Sequence, residues 1–183
     1  RYREAINDYT MSLQFEPSPN MLAQRGKAYL LQASQLAKED LELALRLNPE
    51  NPDTHHFLAY ALVQLGDHAG AAATIEKVSA ATRTAVQKLG PRAWPLCFNP
   101  ATAFAQAVLK VQVDPTLSPE RREELAKQYA AKSVQWLKEA QQVAGSQFGD
   151  SFVEALRSDA ALDPIRQRPE FREAFPALDA KPK

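Results

Sequence analysis

The sequence predicts an all-α fold: an antiparallel helix-hairpin solenoid with a C-terminal capping segment. Three observations carry that prediction. A helix-period pattern recurs about every 32 to 34 residues in three stretches. Turn and cap residues split the pattern into helix pairs. A last long apolar stripe, about 26 residues, opens at Ser118-Pro119-Glu120 and stops at Gly145. A fixed period of this length marks an architecture in which each hairpin buries its apolar face only against the next.

The elements follow in order. Ala5, Ile6, Tyr9 and Leu13 sit at helical spacing, and Pro17 ends that helix. Asn20 is the expected cap of the next helix, which carries Leu22, Tyr29 and Leu30. A turn at residues 33–35 leads to a partner helix with Leu36, Leu41, Leu45 and Leu47. Pro49 and Pro52 mark the following turn, and Asp53 and Thr54 both fit a helix start. Gly66 ends the helix after that, and Asp67 caps the next. Its stripe runs far: Ile75, Val78, Ala81 or Thr82, Val86 and Leu89, up to Gly90.

Residues 90–100 hold Pro91, Pro95 and Pro100, too many prolines for a continuing helix, so residues 91–98 read as a joint. Trp94 and Phe98 within it are expected to plug the end of the first stack. Asn99-Pro100 then opens a helix bearing Phe104, Val108, Leu109 and Val111. The long helix presents Leu125, Tyr129, Ser133, Trp136, Leu137, Ala140 and Ala144. Glu123 and Lys127 on it are an expected surface pair, and Asp159 and Asp163 are expected helix caps. Prolines limit the tail to short helices, and Leu156, Leu162, Ile165, Phe171 and Phe175 suit a terminal cap. The organisation is therefore repeats over 1–90, a joint over 91–98, a further helix pair over 99–145 and a capping tail over 146–183.

Composition narrows the function classes. Lys plus Arg equals Asp plus Glu at 22 each, and no basic stripe with interleaved aromatics occurs, which argues against nucleic acid. No polybasic run or long apolar run points to membrane contact. Cys97 is the only cysteine, so no internal disulfide or cysteine-based zinc cluster can form, and a small buried residue is its plain reading. His55 and His56 point about 100° apart on a helix and are poorly placed to share a metal. His55 is expected in a hairpin core, and His56 facing a groove. No catalytic motif is present, so a non-catalytic module without cofactor or metal is expected. Arg1 falls inside a helical pattern, which reads as a piece of a longer protein.

The run Arg25-Gly26-Lys27-Ala28-Tyr29, followed by Ala37 and Ala44-Leu45-Arg46-Leu47-Asn48-Pro49, resembles a tetratricopeptide repeat. Gly26 and Ala37 are small where two helices cross, and Tyr29 and Leu41 fill the space beside them. Residues 1–17 resemble the second helix of a preceding repeat, and residues 52–79 a third repeat with Ala59 at its crossing. Arg83 stands where a closing proline is usual. Residues 99–178, with Asp114-Pro115-Thr116-Leu117-Ser118 and the run from Ala155 to Phe171, resemble the C-terminal region of large bacterial serine/threonine protein kinases.

These resemblances imply function. The first helices of repeats line a concave face. By matching positions, that face carries Asn20, Ala23, Gln24, Lys27, Leu30 and Leu31 in one repeat. The next contributes Asp53, His56, Phe57, Tyr60 and Gln64. The expected role is protein–protein interaction, with a peptide or protein segment in the groove and Lys27, Phe57 and Tyr60 as favoured contacts. The plain alternative is that these are ordinary solvated residues or are covered by the tail. Some relatives clamp a C-terminal carboxylate with paired Lys and Asn residues. Lys27 alone does not make that clamp and Asp53 opposes it, so free acidic C-termini are expected to bind poorly. A rival role is an intrachain regulatory or assembly segment touching the kinase domain of its own chain. The default compartment is the cytoplasm, or outside it if a membrane span lies upstream.

Overall fold

The computed structural model describes residues 2–15, 18–30 and 33–178. Among them the helices are α1 Tyr2–Leu13, α2 Pro19–Tyr29, α3 Ser34–Leu47, α4 Pro52–Gln64, α5 His68–Leu89, α6 Pro95–Gln112, α7 Pro119–Ala144, α8 Gly149–Ser158, α9 Asp163–Arg166 and α10 Pro169–Ala174. Short 3-10 turns stand at Pro91–Ala93, Ala160–Leu162 and Pro176–Leu178. The fold is all-α with helices packed in adjacent pairs, as the periodicity predicts. The chain divides into two compact units, residues 1–81 and 82–183. Helix α5 supplies residues to each.

One device starts three of the helices. Ser18, Asn51 and Ser118 each stand just before a proline, and each side chain accepts a backbone N–H of the first turn. The donors are Met21, Thr54 and Arg121. The proline fills the first helical position, where no intrahelical N–H bond is lost. Ser18 therefore corrects the expected cap at Asn20, which lies inside α2. Asn51 does the same for Asp53 and Thr54, which lie in the first turn of α4. Pro17, the expected stop of α1, lies outside the described residues.

In the first unit α1 packs on α2, α2 on α3 and α3 on α4. Ala37, Leu41 and Ala44 are spaced i, i+4, i+7 and are buried to 0–2% exposure. Leu36 and Leu47, expected on that stripe, fall off it and are about half exposed at 44% and 49%. Gly26 marks the α2–α3 crossing. A Cβ there would meet Leu41 Cγ at 2.8 Å and the Ala37 carbonyl oxygen at 3.2 Å. Gly66, at φ 90°, makes the α4–α5 turn in a conformation other residues avoid, and Asp67 Oδ1 then accepts the Gly70 N–H at 2.8 Å. Ile75, Val78, Thr82 and Val86 continue the buried stripe of α5. Leu89, at its last position, is 50% exposed.

The second unit is built on α6 and α7. Ala101 and Ala105, one turn apart on α6, and Ala126, Ala130 and Ala140 on α7 are buried. Small side chains let two helix backbones approach closely, and Ser133 Oγ then donates to the Ala101 carbonyl across the gap at 2.7 Å. Helix α6 corrects the expected joint. It begins at Pro95, not at Asn99-Pro100, and Pro100 lies inside it. Pro95 takes the first position, and the N–H groups of Cys97 and Phe98 both bond the Trp94 carbonyl. Pro100 then forfeits a single ladder bond, while its ring is buried. The joint shrinks to Gly90 and the turn Pro91–Ala93. Within this unit Phe98 is buried and Trp94 half-buried, each edge-to-face with Phe152 of α8.

Gly145, at φ 53°, stops α7 as its sequence position predicts. The tail folds back on α6 and α7. Leu156, Leu162, Ile165, Phe171 and Phe175 are buried, so the expected cap is formed. Arg166 holds its turns together, donating to the carbonyls of Leu156 and Asp159 at 2.6 and 2.9 Å. Asp159 caps the Ala160–Leu162 turn, but Asp163 takes the Arg166 guanidinium at 2.8 Å instead of capping. Glu123 pairs with Arg168 at 2.7 Å, tying the tail to α7, and not with Lys127.

The crossing at Gly26 generates a prediction. Gly26→Ala gains about 1 kcal/mol of helix propensity but forces Leu41 or the α3 backbone aside, at about 1–3 kcal/mol. The expected net loss in denaturant unfolding is about 1 kcal/mol. Gly149→Ala is the control, because a Cβ there meets nothing within 4 Å. It is expected to change stability by less than about 0.5 kcal/mol.

Candidate functional site

Helical spacing sorts the candidate residues by face. Asn20, Gln24 and Lys27 follow i, i+4, i+7 along α2, and all three are exposed. Asp53, Phe57, Tyr60 and Gln64 follow the corresponding spacing on α4 and are half-buried. The two helices touch although α3 lies between them in sequence. Lys27 Nζ sits 4.8 Å from the centroid of the Phe57 ring, a cation–π contact that joins the two faces. Among the described residues Lys27 has no ion-pair partner. The result is one surface combining amides, the Phe57 and Tyr60 rings, the Asp53 carboxylate and the Lys27 ammonium.

Of the other expected residues, Leu30 is half-buried at the C-cap of α2, and three do not join that surface. His56 is 1% exposed and belongs to the core, which corrects its expected position facing a groove. Matching by repeat position places it one residue from Phe57, and a step of 100° turns it inward. Ala23 is likewise buried at 6% exposure. Leu31 lies outside the described residues. His55 is buried as expected, its Nε2 2.8 Å from the Pro49 carbonyl oxygen.

A clamp that sequence reading missed sets the site's base. Arg25 donates from Nε and Nη2 to both Asp40 oxygens, each at 2.7 Å. Its Nη1 donates to Thr10 Oγ1 at 3.2 Å, and Thr10 donates in turn to the Ile6 carbonyl at 2.7 Å. The hydrogen bond to Asp40 raises the Arg25 pKa against the opposing effect of burial. Three helices are thus joined through one guanidinium. The missed signal was Asp40 itself, an acid on the buried face of α3, 15 residues from an arginine across a hairpin turn.

The second unit holds a comparable pair. Arg83 continues α5 where a closing proline was expected, and its guanidinium takes both Glu139 oxygens at 3.0 Å while lying 4.9 Å from the Trp136 ring. Cys97 is buried, as expected. Burial raises its thiol pKa to about 11, Glu139 pushes the same way and Arg83 opposes. A thiol so poised stays protonated at neutral pH and is a poor nucleophile. No group of three or more metal-type ligands occurs among the described residues. No described helix is long and apolar enough to cross a membrane.

Residues 28–90 match the family model of the tetratricopeptide repeat. The matched segment runs from the end of α2 through α3 and α4 to the Gly90 that closes α5. Tetratricopeptide repeats generally mediate protein–protein interaction. No curated protein and no solved structure matches the chain.

His56 generates a pH prediction. Burial, and secondarily the neighbouring His55, lowers its pKa from 6.5 to about 3. The folded state therefore keeps the ring neutral, while the unfolded chain takes up a proton as pH falls through 6.5. Stability is full above that value and declines from there toward pH 3. Between pH 7 and pH 5 this one group is expected to remove about 2 kcal/mol. Urea unfolding at both pH values, compared with His56→Gln, measures it. The variant is expected to lose about 2 kcal/mol less over the same interval.

Proposed function

We propose that the first unit is a protein-interaction module that takes a peptide or protein segment on the joined faces of α2 and α4. The carrying observation is the Lys27–Phe57 contact at 4.8 Å, which merges two helix faces into one surface. Phe57 and Tyr60 supply aromatic area, Asn20 and Gln24 supply hydrogen-bonding amides, and Lys27 supplies charge. The repeat match over 28–90 supports binding as the role. No catalytic constellation is assigned to this chain. The resemblance of residues 99–178 to kinase C-terminal regions supports placing the module as an accessory region of a bacterial serine/threonine protein kinase.

Affinity capture tests the reading. Wild-type chain and the Lys27→Glu/Tyr60→Ala variant are compared on lysate of the source cells, with bound proteins read by mass spectrometry. A partner held by the wild type and weakened at least about tenfold in the variant is expected. Equal retention by both would remove the α2–α4 surface as the site. The variant's circular dichroism must match the wild type and its melting point is measured alongside, since Lys27 is exposed but Tyr60 is half-buried.

A further inference from the structure

A pocket in the second unit, apart from the surface above, has the makings of a separate binding site. It is a half-open cavity of about 210 Å³ between the end of α7, α8 and the Pro176–Leu178 turn. Phe152, Leu156 and Phe175 contribute to its walls and are themselves buried at 1, 1 and 6% exposure. Ring packing fixes those walls, with Phe175 5.3 Å from Phe171 and 6.4 Å from Phe152 between centroids. A dry apolar cavity of roughly 150 Å³ suffices to hold a benzene ring. Drug-sized ligands take roughly 300–1,000 Å³, so this pocket suits one large side chain.

Its rim is polar and unengaged. Arg157 and Gln141 line the pocket, and both are exposed. Neither side chain has a hydrogen-bond or ion-pair partner among the described residues. Two other arginines of this tail are paired, Arg166 with Asp163 and Arg168 with Glu123. A fixed apolar pocket with a free guanidinium and a free amide at its mouth selects an apolar group flanked by a carboxylate.

We propose that this pocket receives one leucine-sized or phenylalanine-sized side chain of a partner protein segment, with an adjacent acidic side chain held by Arg157. The segment enters side chain first, and the carboxylate accepts hydrogen bonds from the guanidinium and the Gln141 amide. A single anchor with one charged contact gives millimolar to submillimolar binding on its own.

The test is an NMR titration of the isotope-labelled full chain with the peptide acetyl-Gly-Leu-Asp-Gly-amide. The expected result is saturable shifts at the amides of 152–157 and 174–178. Binding should weaken at least about tenfold when the peptide's leucine becomes alanine and about three- to fivefold when its aspartate becomes asparagine. It should weaken as much in Arg157→Glu and much less in Arg157→Lys. The two peptide controls leave the protein unaltered, so they decide the matter even if Arg157→Glu misfolds. Absence of saturable shifts, equal binding of the asparagine peptide, or shifts from hexanoate but not from the peptide would overturn the proposal.

Discussion

The first unit depends on the Arg25–Asp40 pair. Its two 2.7 Å bonds lie in a largely desolvated place, with side chains 19% and 10% exposed. A paired guanidinium and carboxylate in such a setting hold each other in one geometry, because leaving either one alone and desolvated is costly. The third arm, through Thr10 to the Ile6 carbonyl, extends that constraint to α1. Gly26, the next residue, lets α2 and α3 approach closely enough for the bonds to form. Close approach and ion pair thus lie side by side at the α2–α3 crossing, the one at Gly26 against Leu41 and Ala37, the other at Arg25 against Asp40.

The candidate site inherits its order from that arrangement. Arg25 and Lys27 are two residues apart on α2 and point to different sides of the helix. Fixing Arg25 inward fixes Lys27 outward, where the Phe57 ring meets it. The second unit uses weaker electrostatics and closer packing. Arg83 and Glu139 are 45% and 26% exposed, so their pair contributes at most about 1 kcal/mol. Its order comes from the alanine faces of α6 and α7 and from the Ser133 bond across them. Cys97 and the Pro100 ring share that dry interior.

Features encoded within a few residues were legible in the sequence. Ser118-Pro119 and Gly145 bound α7, and Gly66-Asp67 turns α4 into α5, because caps and glycine turns are local chemistry. The same Ser/Asn-Pro signal stands at Ser18 and Asn51, where Asn20, Asp53 and Thr54 also fit a helix start and were read in their place. The start of α6 was misread because a helix breaker is a rule about average cost, and Pro100 lies inside α6 with its ring buried. Of the candidate site, Lys27 and Phe57 were named and are brought together. His56 was assigned outward and is buried, since one residue of helical phase separates groove from core. The Arg25–Asp40 clamp escaped because its residues meet only once the hairpin has closed. The kinase resemblance of the tail is a separate matter from its structure, which is that of a packed cap.

A double-mutant cycle on Arg25→Ala and Asp40→Ala, read by denaturant unfolding of the full chain, tests the central claim most directly. Each single change is expected to cost about 2–3 kcal/mol, because it strands the other charge. The double variant should cost little more than either alone, which leaves a coupling of about 1.5 kcal/mol or more. Additive losses would contradict it, since the two side chains would then stabilise the unit independently and the clamp would not set the register of α2 on α3.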